Sequence, residues 1–293
     1  MRNLFFPVPF LTMLMAIGCT PEQTVTIIVN EKAHLQLDGK IPSNVFQTKA
    51  NVPLDAGRSI GVYVVDATSG STDSIHTTEV ANKPMVVLTD GSISGDPIFL
   101  QEGKDYKVYS YSPRVTTVTD PREIPFAHGV DLLYADEATI VKALKGRNTV
   151  NLLYNHKLSQ IKFKLIDDRD ALTKEQYPFS EATFEVSGFY KDCLLNLETG
   201  KINRGEIDNN IKIIRQDFPV CFIPSTANMN LIIKVVIPGV ITGEQIITGN
   251  ISTLFESGHS YSFNIKVATT RLDVVGSLVD WIPVDEDVII TSM

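Results

Sequence analysis

The sequence predicts an all-β protein made of two tandem antiparallel β-sandwich domains. Short segments rich in β-branched and aromatic residues recur along the chain, and Gly, Pro, Asp or Asn bounds them. Apolar and charged residues alternate strictly in "IKFKL" (161–165), as in a strand with one buried face. Helical periodicity is limited to two short stretches, 137–146 and 169–176. Many strands with little helix are typical of sandwich folds.

The predicted strands form two series, which meet near residues 146–150. The first series gives an amino-terminal domain over residues 19–147, and the second gives a carboxy-terminal domain over residues 148–293. The strands of the first series are 24–30, 59–66, 84–89, 97–101 and 105–113. Those of the second series are 151–167, 182–190, 192–202, 218–225, 229–238 and 261–267.

The alternation in "IKFKL" assigns the two faces of one strand in the second domain. Ile161, Phe163 and Leu165 are expected to face the core. Lys162 and Lys164 are expected to face solvent. One face of that sheet is therefore predicted to be exposed to solvent.

The first eighteen residues, 1–18, have the layout of a secretory signal peptide. Arg2 supplies a short positive region, and the uncharged stretch Leu4–Ile17 is too short for a membrane-spanning helix, which needs about twenty residues. Gly18 directly before Cys19 resembles the lipobox of bacterial lipoproteins. That resemblance implies that Cys19 carries a diacylglycerol and acyl chains such as palmitate, which anchor the chain in the outer membrane. An ordinary cleaved secretory signal is the alternative.

Charge and cysteine content exclude some classes of function. The formal net charge is −8, which opposes binding of nucleic acid or of an anionic membrane through the protein's own surface. Besides Cys19, the chain has Cys193 and Cys221, without the spacing of a metal site. Both lie in strand-like segments, so two buried thiols are favoured over one disulfide.

Catalytic and metal-binding constellations are missing from the sequence. The five histidines are scattered, and no two have the i, i+4 spacing of a helical zinc pair. The stretch "GSISG" (91–95) lacks a nucleophile because its central residue is Ile93. In "DGSISGD" (90–96), a hairpin is favoured over a calcium loop. The chain is therefore expected not to be an enzyme and to need no metal or cofactor.

Eight motifs occur in a fixed order through nearly the whole mature chain. They are "IGVYVVD" (60–66), "LQEGKDYKVYSYSP" (100–113), "HGVDLLYA" (128–135), "NLLYNHKLSQIKFKL" (151–165), "LNLETGKI" (195–202), "FIPS" (222–225), "ESGHSYSFNIKV" (256–267) and "LVDW" (278–281). In this order they resemble the fimbrillins, the lipoprotein pilins of anaerobic oral and gut bacteria. The resemblance implies two transthyretin-like sandwich domains and a structural subunit of cell-surface fimbriae, as a stalk, minor or anchor pilin.

The resemblance also implies assembly by β-strand exchange. In fimbrillins the first strand of the precursor fills a groove in the amino-terminal domain and is removed by a protease. The carboxy-terminal strand of another subunit then takes its place. In this chain the implied groove strand is 24–30, whose apolar face presents Val25, Ile27 and Val29. An ordinary permanent first strand is the alternative.

The implied cut lies where the family has Arg followed by Ala. This chain has Lys49 and Ala50 in that place. An arginine-specific protease discriminates between a planar guanidinium and an ammonium, so a cut at Arg58 stays open. A subunit that is never cut and keeps its lipid would be a fimbrial anchor.

The implied donor strand is the carboxy-terminal segment 284–293. Val288 and Ile290 lie on one face of it, after an acidic stretch. Completion of its own sandwich is the alternative role for this strand. The expected partners are other fimbrial subunits, the outer membrane through the lipid, and a host or bacterial surface ligand for adhesion.

A surface glycan-binding lipoprotein with tandem β-sandwiches is the alternative function. Such proteins normally present exposed aromatic platforms. The single tryptophan, Trp281, stands in the "DW" position of the fimbrillin pattern rather than in a loop.

A modification site is implied at Ser74. The stretch "DSI" (73–75) matches the short Asp-Ser/Thr-apolar signal at which such bacteria attach O-linked sugars. A plain loop serine is the alternative.

Overall fold

The computed structural model describes residues 32–41, 52–209, 219–241 and 243–280. In these ranges the chain forms twenty strands, one helix (α1, Ala171–Gln176) and one short 3-10 turn (Phe179–Glu181). The prediction of an all-β fold is confirmed. The sequence predictions that lie outside the described residues concern Cys19, Val25, Ile27, Val29, Lys49, Ala50, Val288 and Ile290.

Nine strands precede residue 157, and eight of them form one sheet. Their bounds are β1 (His34–Ile41), β2 (Val52–Pro53), β3 (Ser59–Asp66), β4 (Val80–Val87), β5 (Ser92–Gly95), β6 (Tyr106–Ser112), β7 (Ile124–Ala127), β8 (Leu133–Ile140) and β9 (Arg147–His156). The sheet order is β2-β1-β5-β4-β3-β6-β8-β9. Because β1 also pairs with β9, the sheet closes on itself.

The closed sheet surrounds an apolar core. Ile60 and Val62 of β3 and Val108 of β6 are completely buried there. Leu37 of β1 belongs to the same core and is only 2% exposed. Strand β1 is therefore part of the wall that encloses this core.

The remaining strands form a two-sheet sandwich and two small sheets. Their bounds are β10 (Ser159–Asp167), β11 (Thr183–Ser187), β12 (Phe189–Tyr190), β13 (Asp192–Asn196), β14 (Lys201–Arg204), β15 (Ile207–Asp208), β16 (Val220–Phe222), β17 (Met229–Pro238), β18 (Glu244–Thr253), β19 (His259–Val267) and β20 (Leu272–Asp280). The sheets β16-β10-β19-β20 and β11-β17-β18 contribute to one shared core. Strands β12 and β15 form a separate pair.

The predicted faces of β10 are confirmed. Ile161, Phe163 and Leu165 are buried in the sandwich core. Lys162 and Lys164 between them are exposed. The alternation in the sequence therefore identified the buried face of this strand.

Two strand pairings run parallel, which the sequence analysis did not anticipate. Strand β1 pairs with β9, and β10 pairs with β19. Parallel neighbours need a long connection, and in both cases many other strands lie between the partners in the chain. Periodicity in a sequence reports the face of a strand and not the direction of its neighbour.

A third sheet, β14-β13-β7, connects the two halves of the described chain. In it, β7 pairs with the hairpin of β13 and β14. Cys193 and Cys221 lie in the apolar cluster beside this sheet. Both cysteines are free and buried, which confirms the prediction of two buried thiols. Burial raises the pKa of each thiol to about 12.

The boundary between the two domains stays a prediction. Strand β9 begins at Arg147 and belongs to the closed sheet with β1 and β8. The change from that sheet to the sandwich strands therefore follows His156, several residues after the expected boundary at 147.

The expected helix over residues 137–146 is wrong. Its first part continues β8 as far as Ile140, which pairs with Tyr106 of β6. Ile140 and Ala143 are buried in the core of the closed sheet. Burial against the sheet therefore overrides the helical spacing of these apolar residues.

The other expected helix, 169–176, is confirmed as α1. Asp170 caps it by accepting a hydrogen bond from the N–H of Thr173 at 2.9 Å. The sequence analysis missed several strands that the structure contains, namely β1, β2, β5, β7, β8, β15, β18 and β20. The strand expected at 97–101 is wrong, because that segment forms only an isolated bridge between Phe99 and His34.

Phe163→Ala is expected to lower the free energy of unfolding by about 3–5 kcal/mol, as a cavity in the core does. The Phe163 ring has centroid distances of 5.4 Å to Phe184 and 5.6 Å to Phe263, so the cavity would lie between packed rings. Lys164→Ala on the exposed face is the control, with an expected change within about 0.5 kcal/mol. Denaturant unfolding measures both, and a cost under about 1 kcal/mol for Phe163→Ala contradicts the assignment of faces.

Candidate functional site

The candidate functional site is the groove that holds β1. Strand β9 forms one side of this β1 groove, and β5 and β2 form the other. With β9, strand β1 makes a parallel ladder of seven consecutive pairs. On its other edge, Leu37 pairs with Ile93 of β5 and Ile41 pairs with Val52 of β2. Both edges of β1 are therefore occupied, and β1 is the strand that closes the sheet.

The amino-terminal end of β1 lies at the mouth of the groove. There the N–H of His34 donates to the carbonyl oxygen of Gly146 at 2.8 Å. Lys145 and Arg147 flank that glycine, and both are exposed. Neither forms an ion pair with another residue in the described part of the chain. The mouth therefore presents two uncompensated positive charges next to the first backbone bond of β1.

The inner face of β1 alternates in size along the strand. Leu37 is buried in the core, Leu35 and Ile41 pack against the core from either end, and Gly39 lies against side chains of the neighbouring segments. A Cβ atom at Gly39 would lie 2.7 Å from Leu54 Cδ1, 2.9 Å from Ile93 Cδ1 and 3.1 Å from Tyr154 Cε2. A strand in this groove therefore needs a small residue at this position.

Sequence reasoning missed β1 for an identifiable reason. Leu35 and Leu37 alternate with polar residues, which is a strand signal, but Asp38 and Gly39 follow at once and resemble a turn. The strand expected in this groove, 24–30, lies outside the described residues, as do both flanks of the expected cut after Lys49. The signal in "HLQL" was present but was interrupted by Gly39, the small residue that fits this part of the groove.

Arg58, the alternative cut site, is held in a cluster of ion pairs before β3. Its Nη2 atom lies 2.8 Å from Asp131 Oδ2 and 3.0 Å from Asp55 Oδ2. The other oxygen of Asp131 lies 2.7 Å from Nδ1 of His156. The Arg58 side chain is only 17% exposed. A protease that recognises arginine would have to withdraw it from this cluster, and cleavage there stays a prediction.

The neighbours of Asp131 lower the pKa of its carboxyl group. Burial alone would raise that pKa. The hydrogen bond and charge interaction with His156, together with the Arg58 guanidinium, outweigh burial and lower the pKa below its ordinary value. Asp131 therefore bridges Arg58 and His156, which lie far apart in the sequence.

Ser74 lies in a polar turn between β3 and β4. Its hydroxyl is 3.1 Å from the hydroxyl of Thr77, and its N–H donates to Asp73 Oδ1 at 3.0 Å. Ile75, the apolar member of the implied signal, is buried and anchors the turn. Glycosylation of Ser74 stays a prediction.

Two further properties hold for the described ranges 32–41, 52–209, 219–241 and 243–280. No group of three or more His, Cys, Asp or Glu side chains in them is arranged to hold a metal ion. None of their helices is both long enough and apolar enough to cross a membrane.

A family model described as fimbrillin-like matches residues 48–281 of the chain. The match covers most of the sequence. This chain belongs to the fimbrillin-like family. The matched range begins at residue 48, so β1 precedes the part of this fimbrillin-like chain that the family model covers.

Solved structures share the fold of this fimbrillin-like chain. A candidate cell adhesion protein from Bacteroides ovatus is 17% identical, with a TM-score of 0.64 over 87% of this chain and 99% of its own. Another, from Bacteroides uniformis, is 16% identical, with a TM-score of 0.62 over 85% and 98%. At these identities the similarity shows the fold alone. No curated protein matches the chain significantly.

Asp131→Asn is expected to lower the free energy of unfolding at pH 7 by about 1–3 kcal/mol, because it removes the charge that Arg58 and His156 share. The folded pKa of Asp131 is lowered, so its contribution is present above the unfolded value of about 3.9 and is lost as the pH falls through the folded value. The difference between variant and wild type should therefore shrink in acid.

The matched control is Asp55→Asn, which removes the 82% exposed partner of the same arginine. Its expected effect is within about 0.5 kcal/mol. Denaturant unfolding at pH 7 and pH 3 measures all three proteins. Equal effects of the two variants, or a difference for Asp131→Asn that does not depend on pH, would contradict this role of Asp131.

Proposed function

We propose that this chain is a structural subunit of bacterial surface fimbriae that supports adhesion and assembles by exchange of β1 for a strand of a second subunit. The observation that carries the proposal is the position of β1, which closes the first sheet although a ten-residue segment, 42–51, separates it from β2. Lys49 and Ala50 lie in that segment. A cut between them would leave β1 held only by non-covalent contacts.

If β1 leaves, the β1 groove is expected to take up another strand rather than to stay empty. Without β1, the ladder edges of β9 and β5 would lose their backbone partners, and the pocket of Leu37 would open. Contacts of the three apolar side chains of β1, Leu35, Leu37 and Ile41, with the core contribute on the order of 5 kcal/mol, and unpaired edges attract other strands. An emptied groove is therefore a strong acceptor for an extended apolar segment.

The segment 284–293 of a second subunit is the proposed occupant. Its alternating residues Val288 and Ile290 can supply the apolar side chains that the groove requires. The groove strand expected from sequence, with Val25, Ile27 and Val29, would leave together with β1 because it precedes the same cut. The partners proposed are therefore other copies of this chain or related fimbrial subunits.

The proposed location is the outer membrane and the fimbriae on it. Cys19 would carry the lipid that holds the precursor at the membrane until the cut releases it. A copy that escapes the cut would keep both its lipid and β1 and would serve as an anchor. In this proposal, an anchor pilin differs from a stalk or minor pilin by this one processing step.

A glycan-binding surface lipoprotein remains the second candidate because of one cleft. This cleft has a volume of about 590 Å³, and Asp66, Asp73, Thr77 and Lys104 are among the polar residues that line it. The Phe99 ring at its edge is 59% exposed, as a sugar-stacking platform would be. Glycan binding would not depend on exchange of β1, so the two candidates respond differently to a locked β1.

A disulfide between β1 and β9 tests the proposed exchange. Gln36 and Thr149 are partners in the parallel ladder, and neither is buried. In Gln36→Cys/Thr149→Cys, the oxidised protein should stay monomeric after cleavage at Lys49, because β1 remains tethered. Reduction should restore assembly. Heat-sensitive ladders in detergent gels measure assembly, and intact mass verifies the bond and the cut.

The single variant Gln36→Cys is the matched control, and it should assemble under both conditions. Assembly of the oxidised, cleaved double variant at the wild-type rate would contradict exchange of β1. Glycan binding without assembly in the reduced protein would favour the second candidate.

A further inference from the structure

We propose that the β1 groove recognises its donor by charge and by one small residue, so that the tail of a second copy enters parallel to β9 with its acidic stretch at the mouth. This inference rests on the proposed function and adds the direction, the register and the recognition residues. The acceptor residues are Lys145 and Arg147 at the mouth and the position of Gly39 within the groove. The donor residues are Asp285, Glu286 and Asp287, followed by Val288, Ile290 and Ser292.

The first observation is the charge at the mouth. Lys145 and Arg147 are exposed on both sides of the carbonyl that accepts the first bond of β1, and neither forms an ion pair with a described residue. Lys142 precedes them in the chain, and its backbone N–H, not its ammonium group, donates to Asp105 Oδ1 at 2.7 Å. Lys145 and Arg147 are the basic residues that flank Gly146, whose carbonyl accepts the first backbone bond of β1.

The strand that occupies the groove in the precursor matches this charge less well than three acids would, because Lys32 directly follows the single acid Glu31 in the sequence. It brings Lys32 to the mouth, where the Lys32 ammonium lies over the Phe99 ring at 5.4 Å. The tail of a second copy carries three consecutive acids, 285–287, directly before its apolar residues. Opposite charge at the mouth therefore favours the tail over the strand that it replaces, and it speeds the encounter.

The second observation is the lack of space at Gly39. Alternate tail residues Val288, Ile290 and Ser292 share one face because strand side chains alternate. With Ile290 in the pocket of Leu37, a tail parallel to β9 places Ser292 at the position of Gly39. Serine is the smallest residue on that face, because it adds a single hydroxyl to the Cβ atom, and its Cβ atom needs only the ends of the Leu54 and Ile93 side chains to shift.

A tail that runs antiparallel to β9 fits neither the space at Gly39 nor the charge at the mouth. With Ile290 in the same pocket, it places Val288 at Gly39, where the two branched methyl groups of valine would add to a Cβ atom that already lies 2.7 Å from Leu54 Cδ1 and 2.9 Å from Ile93 Cδ1. It also carries the acids away from the mouth, to the opposite end of the groove. Space and charge thus select the same direction independently.

Charge reversal in the full chain tests the inference. Lys145→Glu/Arg147→Glu should slow assembly of the cleaved protein about tenfold at low salt, as loss of electrostatic steering does. Asp285→Lys/Glu286→Lys/Asp287→Lys should slow it similarly. A chain with both sets should regain the wild-type rate, because donor and acceptor charges are again opposite. Added salt should slow the wild type and reduce the difference between the variants.

Two controls test whether slower assembly comes only from the change in net charge or only from a larger side chain in the tail. Lys162→Glu/Lys164→Glu changes the net charge equally on the exposed face of β10 and should assemble at the wild-type rate. Ser292→Leu should block assembly, whereas Thr291→Leu, on the other face of the tail, should not.

The possible outcomes distinguish the inference from the proposed function. Assembly of Lys145→Glu/Arg147→Glu at the wild-type rate, or no recovery in the combined chain, overturns the inference while strand exchange stands. Normal assembly of Ser292→Leu overturns the assigned register. Failure of the cleaved wild type to assemble overturns the proposed function and this inference together.

Discussion

The first sheet of this protein depends on one constraint, which is that a strand must occupy the space between β9 and β5. Every other strand of that sheet reaches its place through the chain that follows residue 52, whereas β1 precedes it. The core formed by Ile60, Val62 and Val108 is therefore closed by a strand that precedes all the other strands of the sheet in the chain. Backbone hydrogen bonds and buried side chains are not specific to one chain, so the same site can accept a strand from elsewhere.

Contacts outside the groove connect its walls to the rest of the structure. Strand β7 pairs with β13, and Asp131 connects Arg58, before β3, with His156 at the end of β9. The sandwich beyond them has its own core and does not need β1. The proposed exchange therefore requires that the fold survive the loss of β1 as long as another strand takes its place.

Much of the fold could be predicted from the sequence, because alternation reports burial directly. The faces of β10 followed from "IKFKL", and the family resemblance followed from the order of motifs that are each weak. The candidate site was harder, because its strand combines two leucines with Gly39, whose role is to leave space. The parallel partners of β1 and β10 depend on contacts between distant segments, which no local pattern encodes. For the same reason the apolar residues Ile140 and Ala143 suggested a helix where the sheet core holds them.

The amino-terminal sequence of subunits in purified fibres tests the central claim most directly. Exchange of β1 predicts that fibre subunits begin at Ala50 and lack β1 entirely, while membrane-bound precursors begin at Cys19. Fibre subunits that begin at or before His34 would contradict the claim, because β1 would then still occupy its own groove.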